Sequence, residues 1–124
     1  MITNEMLKKK YDKLYKKFVK GDFSEVIKEC NKIIKHRKHQ LFFNLLSIAY
    51  QKSGKIEKSI DVMREALDLN PNHPNFLNNM GTCFYMLHKY SEAEKYFKKG
   101  LKIDNKHLHI LNNLGNLKRE TYKI

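Results

Sequence analysis

The 124-residue sequence predicts an all-α fold, an α-solenoid of about three and a half helix–turn–helix repeats with seven helices. Three observations predict it. The phrase FLNNMG at residues 76–81 returns as ILNNLG at 110–115, a step of 34 residues. Inside each step the apolar residues recur at i, i+3, i+4 and i+7, the stripe of an amphipathic helix. The stripes are interrupted at Gly21, Gly54, Pro71 and Pro74, where a hairpin array needs its turns.

The first unit, about 8–39, sets Tyr11, Leu14, Tyr15 and Phe18 on one stripe, turns at Gly21, and continues with Phe23, Val26, Ile27, Cys30, Ile33 and Ile34. It is two residues shorter than the next, an irregularity common in terminal repeats, which satisfy one neighbour only. The second unit, 40–73, places Phe42, Phe43, Leu46, Ser47 and Tyr50 on its first helix. After Gly54 it places Ser59, Met63, Ala66 and Leu67 on its second. The third, 74–107, repeats these columns as Phe76, Leu77, Met80, Gly81 and Phe84, then, past His88, as Ala93, Phe97, Gly100 and Leu101. Small residues at Ser59, Ala66, Ala93 and Gly100 mark where a neighbouring helix comes close. Asn70-Pro71 ends a helix, because the residue before proline is biased away from helical geometry, and Pro74 suits the first turn of the next.

The partial unit, 108–124, holds Ile110, Leu111, Leu114 and Gly115 on a first-type helix from Leu108 to about Thr121. Tyr122-Lys123-Ile124 aligns with Gly54-Lys55-Ile56 at the head of a second helix that does not follow. The whole of 1–124 therefore reads as one repeat domain with an uncovered last helix, open to continued chain or to self-association with another copy.

Composition narrows the setting. No run of 18 apolar residues exists, so no membrane-spanning helix is expected, and the basic N-terminus lacks the apolar stretch of a signal peptide. A cytoplasmic location is the expectation. Cys30 and Cys83 are too few and too far apart for a disulfide framework or zinc knuckle. The net charge of +12 invites acidic partners. Its 22 lysines against 3 arginines disfavour a nucleic-acid partner, since nucleic-acid sites prefer the arginine fork. His39, His73 and His107 also recur every 34 residues, but adjacent helical repeats lie roughly 8–10 Å apart, too far to share one metal ion. With no phosphate loop, nucleophile elbow or metalloprotease motif present, no catalytic residue, metal site or cofactor is expected.

These columns resemble those of the tetratricopeptide repeat family: small at Ser47, Gly81 and Gly115, aromatic at Tyr50 and Phe84, small at Ser59 and Ala93, large at Met63 and Phe97, small at Ala66 and Gly100, proline at Pro71. His88 stands where the turn usually has glycine, Asn105 where proline is usual, and tryptophan is missing from the Phe43 column. The resemblance implies stacked hairpins whose first helices line a concave groove. Helix geometry then places Leu41, Asn44, Ile48 and Gln51 on the groove flank, followed by Asn75, Asn78, Thr82 and Tyr85, and by His109, Asn112, Asn116 and Arg119.

Asparagine is a mediocre helix former, so Asn44, Asn78 and Asn112 in one column, with Asn79 and Asn113 beside two of them, need a reason. An amide offers two donors and an acceptor, which matches peptide backbone without demanding a particular side chain. The array is similar to the asparagine ladder of O-linked N-acetylglucosamine transferases, with Asn79 and Asn113 the nearest matches. The carboxylate clamp of family members that bind chaperone tails would fall on Asp12, Lys16, Leu45, Asn75 and Asn79. Only Lys16 is basic there, and Asp12 would repel a carboxylate. The function expected is a non-catalytic interaction module that holds a peptide or protein partner in its groove. Alternatives are a substrate-recruiting N-terminal module of a larger enzyme, such as a glycosyltransferase, and a basic nucleic-acid-binding repeat protein.

Overall fold

In a computed structural model, which describes residues 2–122, seven α-helices follow one another: α1 (Asn4–Val19), α2 (Phe23–His36), α3 (Gln40–Lys52), α4 (Ile56–Leu69), α5 (Pro74–Met86), α6 (Tyr90–Ile103) and α7 (Leu108–Thr121). No strand occurs among the described residues. The first helix starts earlier than the repeat columns imply, because Thr3 Oγ1 accepts a hydrogen bond from Met6 N at 3.1 Å and caps it at Asn4. Pro74 opens α5 at its first position, where no amide hydrogen is needed. The hairpin turns pass through left-handed backbone at Gly21 (φ 85°), Gly54 (φ 75°) and His88 (φ 60°). His88 is the departure from glycine noted in the sequence. It adopts the same geometry despite its Cβ, and its ring Nδ1 lies 2.9 Å from the Tyr90 hydroxyl.

Each hairpin packs its two helices together, and each second helix packs on the first helix of the next hairpin. The odd helices also approach each other in succession, α1 and α3, α3 and α5, α5 and α7, whereas the backbones of the even helices stay further apart. Packing that is close on one side and splayed on the other curves the stack, so the odd helices line its inner face. The core runs along the seam: Leu14, Val26, Phe42, Leu46, Met63, Met80 and Cys83 in one continuous cluster, with Phe97, Ile110 and Leu117 in a smaller second one. Phe84 packs against both.

The column Ser47, Gly81, Gly115 shows what the repeat is built to do. Ser47 is buried against Ser59, with their hydroxyl oxygens 2.7 Å apart. A Cβ on Gly81 would lie 2.5 Å from a ring carbon of Phe97, while one on Gly115 would meet nothing within 4 Å. The last helix thus carries the same receiving face, and no described residue is laid on it. Leu111 is 44% exposed where its column mates Phe43 and Leu77 are 2% and 1%. Lys123 and Ile124, which the sequence places at the head of a further turn, lie outside the described residues.

Candidate functional site

The inner face brings the predicted asparagines together, but in pairs offset by one residue from the sequence period. Asn79 Nδ2 donates to Asn44 Oδ1 at 2.5 Å, and Asn113 Nδ2 donates to Asn78 Oδ1 at 2.8 Å, so each rung joins residues 35 apart. The amide orientation of the second rung follows from the surrounding bonds. Thr82 Oγ1 gives its hydrogen to the backbone carbonyl of Asn78 at 2.8 Å, so it must accept from Asn113 Nδ2 at 3.4 Å. Asn78 therefore spends its side-chain carbonyl on the rung and keeps its amide N–H groups, and Asn44, the acceptor from Asn79, has the same arrangement. Asn112 is exposed, and its side chain forms no hydrogen bond with a described residue.

The other predicted groove residues are placed unequally. Thr82, Tyr85, Asn113 and Asn116 line one small cleft floored by Phe97. Tyr85 leans on Tyr90, with ring centroids 5.5 Å apart, and Arg119 hydrogen-bonds Asn116 on the surface. Asn75 is exposed but its Oδ1 is engaged by His107 Nε2 at 2.6 Å, and His109 is exposed beside His107. Asn79 is 6% exposed, lying under Asn44 rather than opening to solvent.

Two further residues read as groove positions are not there. Gln51 is buried, its Nε2 within 3.4 Å of the Asn79 carbonyl and of Cys83 Sγ and 3.5 Å of Ser47 Oγ, because the end of α3 tucks beneath α5. Leu45 is buried in the core, so the clamp position assigned to it does not face a ligand.

The recurring histidines act as caps and staples between hairpins. His39 Nδ1 accepts from Leu41 N and His107 Nδ1 from Ile110 N, each at 3.2 Å. With Nδ1 accepting, His107 carries its hydrogen on Nε2 and donates it to Asn75. His73 Nε2 reaches Gln40 Oε1 at 2.9 Å, but its Nδ1 is buried without a partner, and its ring stacks on Phe76 at 3.9 Å. Burial lowers the His73 pKa. The unfolded chain then takes up this proton first as pH falls, so stability present above the ordinary histidine range is lost on acidification through it. His73→Gln should show a smaller fall in melting temperature than wild type between about pH 7 and pH 5, measured by circular dichroism; equal falls would remove His73 from the account.

Neither cysteine suits nucleophilic chemistry. Burial pushes the Cys30 thiol up to about 12, and it raises Cys83 despite hydrogen bonds to Ser59 and Gln51. No group of three or more metal-ligating side chains converges among the described residues, and no helix among them is long and apolar enough to cross a membrane.

Sequence reasoning missed one feature of this face. A hollow of about 360 Å³ opens between α1 and the start of α3, walled by Leu7, Tyr11, Leu41 and Phe42. Its signal was present in the column Leu41, Asn75, His109, which is apolar in the first of the three repeats alone.

Stacked helical hairpins with an amide-lined inner face define a helical-repeat scaffold. The chain belongs to the tetratricopeptide repeat family, whose model, described as "Tetratricopeptide repeat", matches residues 41–106, more than half of its length. That family is one of protein-interaction modules. Photosystem I assembly protein Ycf3 of Synechococcus sp. (strain CC9605) is 29% identical over 68 residues, 52% of this chain and 39% of its own length. The match thus spans well under half of that relative. Among solved structures, PcrH from Pseudomonas aeruginosa superposes with a TM-score of 0.85 at 15% identity, covering 99% of this chain and 96% of that one. The Yersinia enterocolitica type III secretion chaperone SycD, in complex with a peptide of the translocator YopD, gives 0.82 at 15% identity, with 97% and 98% covered. The first such domain of Spaghetti, bound to the HSP90 peptide SRMEEVD, gives 0.81 at 19%, with 90% of each chain covered.

Proposed function

We propose that this chain is a non-catalytic scaffold, one repeat domain over 1–124, that holds an extended segment of a protein partner along the inner face of α3, α5 and α7. The observation that carries this reading is the one-sided use of the asparagine rungs. Asn44 and Asn78 keep their N–H groups after their carbonyls are satisfied, and Asn112 keeps its whole amide. A row of free donors on a concave face suits the carbonyls of an extended backbone, which have no strand partner of their own. Two proteins of similar fold, Spaghetti with an HSP90 peptide and SycD with a peptide of YopD, bind peptides, which favours a peptide as the ligand here.

Substitution separates the two jobs of Asn78. Asn78→Asp keeps the acceptor for Asn113 and removes the donors, so the rung survives and the ligand contact does not. Against peptides selected from a displayed random library on the immobilised wild-type chain, Asn78→Asp combined with Asn112→Ala should weaken binding by about 10- to 100-fold, in salt high enough to screen the added charge. The melting temperature should stay near that of wild type. Undiminished binding would remove the amides from the ligand site.

A further inference from the structure

We propose that the outer side of α1 is a docking surface for an anionic lipid bilayer, which would seat the scaffold on a membrane with its inner face left open. The positive charge of this chain is not spread evenly. Residues 1–39 hold 12 Lys and Arg against 5 Asp and Glu, +7 of the net +12, whereas residues 40–73 hold 4 of each. Lys9, Lys13 and Lys16 on α1, with Lys20 at its C-cap, recur at steps of four, three and four, which sets them on one stripe about 60° wide. That stripe lies opposite Leu7, Leu14 and Phe18, which pack into the core. All four lysines are exposed, and none forms an ion pair with a described residue. The acids nearby are spent elsewhere. Glu25 pairs with Lys17 and Glu29 with Lys32, each at 3.6 Å. Asp12 lines the inner-face hollow beside Lys8, and Glu5 complements the helix dipole in the first turn.

Shape and residue type select the bilayer. The stripe is a straight ridge about 16 Å long on the first helix of the stack, which packs on α2 and α3 alone among the described helices. A plane of headgroups meets such a ridge along its whole length, and each lysine held near an anionic bilayer strengthens binding by about five-fold. Met6 and Val19, 45% and 68% exposed, flank the stripe near its two ends. Such side chains gain by entering the headgroup layer and gain nothing against a nucleic-acid backbone. The one arginine of this hairpin, Arg37, whose fork would grip a phosphate, is held instead by the Ile2 carbonyl and Asn4. Because the apolar stripe of α1 is already packed in the core, the helix rests on the membrane rather than sinking into it, and its attachment is sensitive to salt.

Co-sedimentation of the full chain with lipid vesicles provides the test. In about 0.1 M salt the chain should bind phosphatidylcholine vesicles that contain about 30% phosphatidylserine, and should ignore vesicles of phosphatidylcholine alone. Lys9→Gln, Lys13→Gln, Lys16→Gln and Lys20→Gln together should weaken that binding by about 100-fold. All four side chains are exposed and glutamine is close to lysine in helix propensity, so circular dichroism should be unchanged. Lys95→Gln, Lys98→Gln, Lys99→Gln and Lys102→Gln remove the same charge from exposed positions of α6 and should cost less than about 10-fold. Met6→Ser with Val19→Ser should cost about 3- to 10-fold. Asn112→Ala, which strips an amide from the inner face, should bind vesicles as wild type does, so that this surface and the peptide-holding reading fail separately. Equal losses for the two sets of lysine variants would mean that net charge acts without a defined surface, and would overturn the proposal. So would an absence of binding to the anionic vesicles. A single-stranded RNA homopolymer that bound more tightly than the vesicles at the same salt, and was lost with the α1 variants, would overturn the bilayer in favour of nucleic acid.

Discussion

Replacing Phe97 with alanine should lower stability by about 3–5 kcal/mol, the range for emptying a fully buried aromatic site, and melting should fall by on the order of 10–20 °C. Phe97 is entirely buried and anchors the smaller cluster of Ala93, Ile110, Leu114 and Leu117. Its ring fills the space that Gly81 vacates on α5, so the pair acts as knob and hole. Because each hairpin contacts only its neighbours, the damage should be local. Hydrogen exchange should show α6 and α7 unprotected while α1 to α4 keep their protection. The complementary change, Gly81→Ala, adds a Cβ where a buried ring cannot retreat. It should cost about 1–2 kcal/mol net of alanine's better helix propensity. Gly115→Ala, in the same column with open space beside it, should gain about 0.8–1 kcal/mol. Opposite signs at two positions of one column follow from a covered face and an uncovered one; equal signs would contradict that geometry.

Gln51→Glu should destabilise the fold on the order of 3 kcal/mol at neutral pH, although it changes one atom type. The hydrogens around Gln51 are already committed. Ser59 Oγ donates to the Ser47 carbonyl at 2.9 Å, which leaves Ser47 to donate to Ser59, and Cys83 Sγ donates to Ser59 at 3.3 Å. The Asn79 carbonyl can only accept. A carboxylate placed there would face acceptors with no donor to spare. Burial without donors raises a carboxyl pKa, so the penalty applies above the ordinary glutamate range of about 4.3 and fades as pH falls toward it. Melting temperatures of wild type and variant should differ widely at about pH 7.5 and converge near about pH 4.5. A constant difference would mean that the site takes up the charge. Gln51→Met, which deletes the polar group instead of charging it, should cost only about 1 kcal/mol.

The fold was legible because one signal was written several times. Phe43, Leu77 and Leu111, or Ser47, Gly81 and Gly115, each fix a place on a helix, and together they fix the 34-residue step, the hairpin and the stack. The candidate site was legible only as a list of columns. Helix geometry placed Asn44, Asn78 and Asn112 on one flank. It could not give the register between hairpins, which pairs Asn44 with Asn79 and Asn78 with Asn113. Nor could it give the packing of the end of α3 against α5, which buries Gln51. The histidine column was readable as a set of junction residues. That His73 alone would keep a buried, unpartnered nitrogen depended on its ring lying against Phe76, a packing detail that periodicity does not encode. The hollow beside Leu41 escaped notice because it is formed by two helices from different hairpins, and no single column describes it.

The central claim is that the face lined by α3, α5 and α7 receives the partner and that the asparagine N–H groups touch it. The direct measurement is a nitrogen–proton correlation spectrum of the labelled chain with and without a selected peptide. The account predicts that the side-chain amide signals of Asn44, Asn78 and Asn112 shift on binding, together with backbone signals of the odd helices, while α2, α4 and α6 stay unchanged on their outer faces. Shifts concentrated on those outer faces, with the three asparagine side chains unmoved, would contradict it.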